Sequence, residues 1–598
     1  MNNTPKAAEH SLSDLPLILF LRKRGPSVVL LILVILALNL PTLRMGFTNW
    51  DDPDYVLLNE YIRYPKWDAI FRMFTSSLQG NYHPLVQLSY AIDYTISGNQ
   101  AWMYHAQNIF WHLVNVMLVY RIFRRMGHNR TKGWLVALFF GLHPLHAESV
   151  AWISARKDVM YAAGFLFSVL YYYRFCMTGK VWFYRLSLAG FIWACLCKPM
   201  AISLPIVLIL IDYFSERKSS LRERIFEKFP FFFLALVLGW FTFLAQVDAG
   251  AVSRLPGWDS LWFSATAFLF YVTKTILPFR LSAYYPYPDQ PDFGDYTAPI
   301  FLIVLLFAFY RWFRLSKITV FGWGFFFVCL LPVLQLLPAG NALAADRYHY
   351  VAGLGMLYMV VELSWIAWYR YQKLRNWIPI LGLVTALGFG TLYVQRLNVW
   401  TDDEHLYADM LKHNPNLYMA NHNLGMSRYM DGRYKEALQP YRVLTQVYPD
   451  SSAGFEGTGK TLVKMAQYDV AIHYLQIAAR LNPGHESLYN ELGISWFRSA
   501  RWDSAAAYFQ KTLQQNTRHL DARNNLAMCY LQTGRDSLAE HTLYQVMNID
   551  STFGPAYYNM ALVWQRRGNQ NKTYAWLKAA ADREVPEAQK IINAEKRK

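Results

Sequence analysis

The order of apolar and polar positions divides the chain into two parts. Before residue 396, apolar runs of about 20 residues, the length that crosses a bilayer, alternate with short polar connections. Strong runs lie near 26–45, 104–124, 133–151, 158–176, 229–247, 298–314, 319–338, 347–369 and 376–395. Two shorter runs, 182–197 and 200–214, flank Lys198 and Pro199, and a weaker run covers 260–279. The pattern predicts a polytopic α-helical membrane domain over 26–396, preceded by a tail, 1–25.

Clusters of Lys and Arg orient these runs, because short cytoplasmic loops retain positive charge. The clusters expected in the cytoplasm are 22–24, 121–132, 174–185, 217–228, 311–317 and 370–375. They agree with one another if 260–279 lies in the interface or re-enters, which gives about 11 spans, whereas a crossing gives about 12. The first run follows basic residues and is long, so it predicts a signal anchor that is not cleaved. With 11 spans, the loops 46–103, 143–158, 280–297 and 339–347 share the outer side with everything after residue 396.

Beyond residue 402 the composition becomes that of a soluble helical domain, 402–598, and a repeat of 34 residues emerges without gaps. Gly425, Gly459 and Gly493 recur at one position, with Ala527 and Ala561 in the next two copies. A second position holds Ala437, Ala471, Ala505 and Ala539, and a third holds Tyr434, Tyr468 and Trp502. Small residues where two helices meet are typical of tetratricopeptide repeats (TPRs). About five repeats, 418–587, predict an α-solenoid with a concave groove.

Composition supports this division and excludes several functions. Hydrophobic residues make up 54% and charged residues 17%, while the net charge of +17 falls largely in the short loops. That placement indicates topology control and not nucleic-acid binding. The five cysteines form no CxxC pair, so neither a disulfide framework nor a zinc site is expected. The chain has no P-loop, dinucleotide fingerprint, GxSxG or HExxH, which excludes the usual soluble nucleotide-driven chemistry.

Candidate chemistry begins in GFTNWDDPDY, residues 46–55, directly after the first apolar run. Asp52 followed by Pro53 is typical of a helix start, with Asp52 as the N-cap. The adjacent carboxylates of Asp51 and Asp52 also suit proton transfer, because like charges side by side raise one pKa. The two interpretations are compatible, since a helix start would hold both carboxylates rigidly.

The second candidate is LHPLHAESVAWISARKD, residues 142–158, at the outer end of a run. An interfacial belt of amphipathic residues is one interpretation, but so many ionisable groups near a membrane favour function. His143, His146 and Glu148 suit a divalent metal, although a third anchor is not evident, and no cofactor is otherwise predicted. Arg156 and Lys157 suit a phosphate.

Other outer positions carry weaker signals. Lys198 between two short runs either snorkels to the interface or faces a polar cavity. Asp346 and Arg347 open a run from the outer side, as a local ion pair or as a contact to an anionic headgroup. His83 and Tyr285 lie in outer loops and are candidates for positioning a substrate.

Several of these stretches together resemble one known family. WDDPDYV–LN (50–59), GLHPLHAESVAWISARKDVM (141–160), CKPMAISLPIVLILIDYF (197–214), PFRLSAYYPYP (278–288) and AADRYHYVAGLGM (344–356) are similar, in the same order, to motif blocks of the transmembrane and tetratricopeptide-repeat (TMTC) proteins. Those proteins belong to the glycosyltransferase-C superfamily, with the protein O-mannosyltransferases. The short loops suggest a bacterial homologue, whose outer side is the periplasm and whose membrane is the inner membrane.

The resemblance implies an inverting transferase that moves a sugar, often mannose, from a polyprenyl phosphate to a Ser or Thr hydroxyl. The family's base is an acidic residue of the first outer loop, which here corresponds to Asp51 or Asp52, with a slight preference for Asp52. Cations must stabilise the departing phosphate; the candidates, in order, are Arg156, Lys157, Arg347 and Lys198. His83, His143, His146, Glu148, Tyr285 and Asp346 are candidates for binding or positioning. The TPR groove is expected to bind an acceptor protein or another partner.

Two rival functions belong to other classes. A polysaccharide polymerase or ligase also joins many spans to TPRs, but its key Arg and His residues occupy a large late outer loop, whereas here the long outer loop comes first and is acidic. A scaffold without catalysis would use the spans as an anchor and the repeats as the working part. The ionisable outer loops argue against that scaffold.

Overall fold

A computed structural model describes residues 24–217, 219–248, 250, 258–288, 293–313, 316–336 and 342–595. Nearly all of the predicted tail 1–25, the loop 289–292 and parts of 311–317 and 339–347 lie outside the described residues. The chain divides into two compact units, Met1–Met410 and Leu411–Lys598. Helices build both units, and the prediction of an all-α protein is confirmed.

Seventeen helices lie within the described residues up to His413, joined by short 3-10 turns and by one π-helical turn, Pro53–Leu57. They are α1 (Arg24–Asn39), α2 (Glu60–Arg63), α3 (Trp67–Thr75), α4 (Pro84–Ser97), α5 (Ala101–Met126), α6 (Arg130–Leu142), α7 (Ala147–Ala151), α8 (Arg156–Thr178), α9 (Val181–Cys197), α10 (Leu204–Ser215), α11 (Leu221–Asp248), α12 (Trp258–Ile276), α13 (Phe293–Phe313), α14 (Lys317–Leu330), α15 (His349–Arg370), α16 (Trp377–Asn398) and α17 (Asp403–His413). Two short strands, β1 (Tyr285–Pro286) and β2 (Ala342–Ala344), pair antiparallel.

Glycine pairs bring the central helices of this unit close together. A Cβ built on Gly164 of α8 would lie 2.7 Å from the carbonyl oxygen of Gly190 in α9. On α15, a Cβ on Gly355 would lie 2.2 Å from the carbonyl oxygen of Gly322 in α14. Small residues at such crossings allow backbones to approach closely, which is how apolar helices associate inside a bilayer.

Four helical segments of the described residues are long and apolar enough to cross a membrane: Ser27–Arg44, Leu221–Asp248, Asp346–Arg370 and Gln372–Asn398. Shorter apolar helical segments cover Val181–Cys197, Pro199–Ser215, Phe293–Phe307 and Lys317–Val333. These helices are consistent with the membrane domain expected from the sequence. The number of spans, and whether 260–279 crosses, stay predictions.

The second unit is a series of helix pairs. The pairs are α18 (Tyr418–Met430) with α19 (Tyr434–Val447), α20 (Ser452–Lys464) with α21 (Tyr468–Leu481), α22 (Glu486–Arg498) with α23 (Trp502–Gln515), α24 (Leu520–Gln532) with α25 (Asp536–Ile549), and α26 (Gly554–Arg566) with α27 (Gln570–Ala581), followed by α28 (Pro586–Glu595). The recurring glycines face a large side chain of the second helix: a Cβ on Gly493 would lie 2.5 Å from the Phe509 ring. This packing explains the small residues of the 34-residue pattern.

Candidate functional site

Asp52 is a buried carboxylate that fastens the first outer loop to the loop before α8. Its Oδ2 accepts hydrogen bonds from the backbone N–H of Thr48 at 2.8 Å and from the Thr48 hydroxyl at 3.0 Å. Its Oδ1 accepts from the Ser154 N–H at 3.0 Å and from the Ser154 hydroxyl at 2.5 Å. Burial raises the pKa of Asp52 to about 6, against the opposing effect of these donors. Asp52 does occupy the N-cap position of the turn Pro53–Leu57, but its side chain does not cap that turn.

Asp51 is oriented differently from its neighbour. Its side chain is 32% exposed, and its Oδ2 lies 3.7 Å from the Nζ of Lys157. The ammonium of Lys157 also lies 4.7 Å from the centre of the Tyr55 ring and 5.6 Å from that of Trp152. A partly exposed carboxylate therefore stands next to a cation held by aromatic faces.

Two further cations lie close to Lys157. The guanidinium of Arg347 donates to Glu148 Oε1 at 2.5 Å and lies 5.5 Å from the centre of the Trp152 ring. Lys198 forms an ion pair with Asp158 and lies 5.2 Å from the Tyr348 ring centre. Burial lowers the pKa of Lys198 to about 8; Asp158 acts in the opposite direction, whereas the charges of Arg347 and Lys157 add to the lowering. Lys157, Arg347 and Lys198 thus form one cluster, which we call the cation cluster.

Arg156, the first phosphate candidate of the sequence, lies apart from these cations. Its side chain is fully buried and forms an ion pair with Asp93, which is fully buried as well. The remaining donors bond to Asn108 Oδ1 at 3.0 Å, to the Ser89 hydroxyl at 3.2 Å and to the Tyr104 carbonyl at 2.8 Å. Each nitrogen of the guanidinium thus has a partner inside the protein, and the side chain has no exposed surface through which to reach a ligand. Phosphate binding by Arg156 stays a prediction.

Asp346, which precedes Arg347 in the chain, forms a network with Tyr285 and Arg396. The Tyr285 hydroxyl donates to Asp346 Oδ1 at 2.9 Å and accepts from the Ser282 N–H at 2.7 Å. The guanidinium of Arg396 lies 3.4 Å from Asp346 Oδ2 and donates to Asp409 at 2.6 Å. Both residues therefore position neighbouring loops, and Asp346 does not form a local ion pair with Arg347.

The predicted histidines meet a third one. The ligand atoms of His143, His146 and His349 lie within 4.8 Å of one another, and all three side chains are buried. Glu148, the carboxylate expected with them, pairs with Arg347 instead.

The ring nitrogens of these histidines have protein partners. His146 Nδ1 lies 2.7 Å from the Phe140 carbonyl oxygen, and His146 Nε2 lies 3.1 Å from His349 Nδ1. His143 Nε2 lies 3.1 Å from the Thr275 carbonyl oxygen. A metal ion would have to replace at least one of these contacts, so the divalent metal stays a prediction with no role in our proposal.

His83 lies next to Tyr55 and close to Lys157. Its ring packs 5.0 Å from the Tyr55 ring centre, and burial, with the charge of Lys157 second, lowers its pKa to about 3. Neither ring nitrogen has a hydrogen-bond partner among the described residues. His83 is therefore a buried, neutral imidazole close to Lys157, with its donor and its acceptor unpaired among the described residues.

The segment after α16 packs against the first outer loop. Trp400 stacks on Trp152 with ring centres 5.3 Å apart, and Trp152 stacks on Trp50 at 5.2 Å. The Asn49 N–H donates to Asp403 at 2.6 Å, and the Tyr407 hydroxyl donates to the Asn49 carbonyl at 2.5 Å. Loops that are far apart in sequence thus meet around Asp51.

Sequence reasoning missed the residues that hold the site together. Ser154, His349 and Arg396 were not singled out, although His349 stands two positions after Arg347 in one of the motif blocks. Ser154 and Asp52 are 102 positions apart, and no local pattern links them. Only the packing of the loops identifies such partners.

Comparisons with known proteins agree with both units. Tetratricopeptide-repeat models match residues 420–451, 457–517 and 497–562, so the prediction of a TPR domain is confirmed. A solved structure titled "Crystal structure of YrrB: a TPR protein with an unusual peptide-binding site" is 20% identical and has a TM-score of 0.28, with 32% of this chain and 97% of that chain covered.

The curated relatives that match this chain include TMTC proteins. The protein O-mannosyl-transferase TMTC1 of Mus musculus is 32% identical over an alignment of 151 residues, which covers 23% of this chain and 16% of the relative. TMTC1 of Homo sapiens is 24% identical over an alignment of 458 residues, which covers 63% of this chain and 49% of the relative. The resemblance to TMTC proteins is confirmed, and the chain spans half or less of the length of these relatives.

Proposed function

We propose that this protein is a membrane glycosyltransferase that moves a sugar such as mannose from a polyprenyl phosphate to a Ser or Thr hydroxyl of a protein. The observation that carries the proposal is the partly exposed carboxylate of Asp51, 3.7 Å from Lys157, in front of the cation cluster. A base next to cationic side chains is the arrangement that this transfer needs. The names of the TMTC relatives support the same reaction class.

Asp51 acts as the general base in this proposal. The acceptor hydroxyl attacks the anomeric carbon of the sugar, and its proton passes to the Asp51 carboxylate. The bond between that carbon and the phosphate oxygen breaks on the opposite face, so the configuration inverts and polyprenyl phosphate leaves. Asp52 is less suited to this role, because four donors from Thr48 and Ser154 already occupy its oxygens.

The cation cluster stabilises the departing phosphate. Lys157 and Arg347 are more exposed, at 11% and 16% of their side chains, than the fully buried Arg156. Charge builds on the phosphate as its bond to the sugar breaks, and preorganised cations lower the barrier most at that moment. Lys198, which is paired with Asp158, adds its positive charge to the electrostatic potential at the phosphate.

The site is proposed to open on the outer side of the membrane, and the TPR groove to recruit the acceptor protein or another partner. In a bacterium this would be the periplasmic side of the inner membrane.

The test compares strains that express the wild type, Asp51→Asn, Asp52→Asn or the double variant. Mass spectrometry then measures hexose on proteins of the outer compartment. Asp51→Asn should lower the hexose signal by about 100-fold or more, since removing a general base typically costs that much in rate. Asp54→Asn is the matched control, because Asp54 is exposed and bonds to Gln79 at 2.9 Å outside the cation cluster. An unchanged glycan profile in the double variant would contradict the proposal and favour the scaffold.

A further inference from the structure

A second charged cavity lies at the far end of the helices that carry the candidate site. It has a volume of about 520 Å³ and is lined by residues that include Arg124, Arg125, His128, Arg130, Arg174 and Met177. Helix α6 runs from this cavity to the histidines, and α8 runs from Lys157 to it. At 1.5 Å per residue, the two ends of these helices are about 20 and 33 Å apart, respectively. The cavity is therefore separate from the site described above.

The lining contains no carboxylate. Among the described residues, Arg124, Arg125 and Arg174 form no ion pair with Asp or Glu. The carboxylate beside Gly127, that of Glu362, is paired with Lys132 at 2.6 Å. Among the described residues, no carboxylate therefore balances the charge of these three guanidinium groups.

The arginines are held in place without being neutralised. The Arg174 guanidinium lies 3.9 Å from the Phe183 ring centre, and that of Arg124 lies 5.7 Å from the Tyr120 ring centre. Partial burial and the charges of Arg174, Arg124 and Arg121 lower the pKa of Arg125. The clustered arginines disfavour one another's charged state. A bound anion offsets this repulsion and so stabilises the cluster.

The chemistry of the lining selects a phosphate. Guanidinium groups bind phosphate oxygens in pairs of parallel hydrogen bonds, and basic cavities between membrane helices accommodate lipid headgroups. The cavity lies where α5 and α8 end, and Met177 beside it is 53% exposed, which gives an acyl chain an apolar contact. We propose that this cavity, the arginine pocket, binds the phosphate of an anionic membrane lipid.

The test uses the full-length protein in lipid discs that contain phosphatidylcholine and phosphatidylglycerol in equal amounts. Native mass spectrometry measures which lipid stays bound after extraction. The wild type should retain phosphatidylglycerol in preference to phosphatidylcholine. Arg125→Gln with Arg174→Gln should lower that retention at least about tenfold, because two charge-assisted bonds are lost.

Two further variants keep the result interpretable. Arg185→Gln with Arg222→Gln removes the same charge from exposed positions outside the lining, and should leave retention unchanged. Arg125→Lys with Arg174→Lys keeps the charge but loses the fork geometry, so retention should fall to an intermediate level. This pair also serves if the glutamine variant does not fold.

Two results would overturn the proposal. One is equal retention of phosphatidylglycerol by the wild type and by both pocket variants. The other is binding of inorganic phosphate, in discs of phosphatidylcholine alone, as tight as that of phosphatidylglycerol, since the pocket would then serve a soluble anion.

Discussion

Two adjacent aspartates of the first outer loop differ in what surrounds them. Asp52 is 1% exposed and accepts hydrogen bonds from Thr48 and Ser154. Asp51, one position earlier, is partly exposed and faces Lys157. The environment of each side chain, and not its type, therefore separates a positioning carboxylate from a proposed base.

The raised pKa of Asp52 predicts a pH dependence of stability. Its value moves from 3.8 to about 6 on folding, so the folded protein binds the proton more tightly than the unfolded chain. Between these values the Asp52 carboxyl should contribute a loss of stability as the pH rises, of up to roughly 3 kcal/mol, which is complete above pH 6. Thermal unfolding of the wild type and of Asp52→Asn from pH 4 to 7 measures this. The difference in stability between the two proteins should change by that amount over the range, and a difference that stays constant would contradict the assignment.

Arg156 and Asp93 give a second prediction at this scale. Arg156→Met leaves the buried Asp93 without its partner and should destabilise the protein by about 3–5 kcal/mol. The double variant Arg156→Met with Asp93→Leu should recover much of that stability, as measured by thermal unfolding. If Arg156 bound the donor phosphate instead, the single variant would raise the KM for the donor and leave the unfolding temperature unchanged.

At the scale of elements, one rule explains both units: helices that approach closely carry small residues at the crossing. Gly164 with Gly190 follows it in the first unit, and Gly493 against Phe509 follows it in the second. In the second unit the small residues recur every 34 positions, so the sequence already shows them. In the first unit the glycines have no period, so only the structure pairs them.

Gly493→Val tests this packing. The new side chain would begin 2.5 Å from the Phe509 ring, so α22 and α23 must separate, at a cost of about 1–3 kcal/mol. Protease cleavage within residues 411–598, followed in increasing urea on the full chain, should occur at lower urea than in the wild type. Gly484→Ala is the control, because no atom lies within 4 Å of its added Cβ. Equal protection of the two variants would show that the crossing tolerates the added volume.

At the scale of the whole molecule, the candidate site joins loops that are far apart in the chain. Contacts such as Asp52 with Ser154 and Arg347 with Glu148 bring 46–54, 143–157 and 346–347 together, which is compatible with a shared outer side. That shared side stays a prediction. Residues 400–407 join the same group through Trp400 and Tyr407. The arginine pocket, in contrast, lies at the other end of α6 and α8.

Topology mapping checks this arrangement. Asp54→Cys should react with a membrane-impermeant thiol reagent from the outer side, and a reporter fused after residue 400 should report the same side. Arg185→Cys, an exposed position among the basic residues, should be protected until the membrane is opened. Labelling of both cysteines from one side, or a cytoplasmic reporter, would contradict the shared side of the loops.

The sequence by itself determined the helical class, the membrane character and the TPR domain. Each follows from a local rule, since the apolar length, the charge of short loops and a 34-residue period are properties of neighbouring residues. It also named most residues of the site, because ionisable groups are costly beside a bilayer and stand out.

Only the tertiary structure decided what each of these residues contacts. Arg156 and Lys157 are neighbours of the same charge, yet one is buried against Asp93 and the other faces Asp51. The difference depends on which helix each side chain meets, and those partners lie 63 and 106 positions away. Burial and ion pairing arise from contacts between distant segments, so no local pattern contains them.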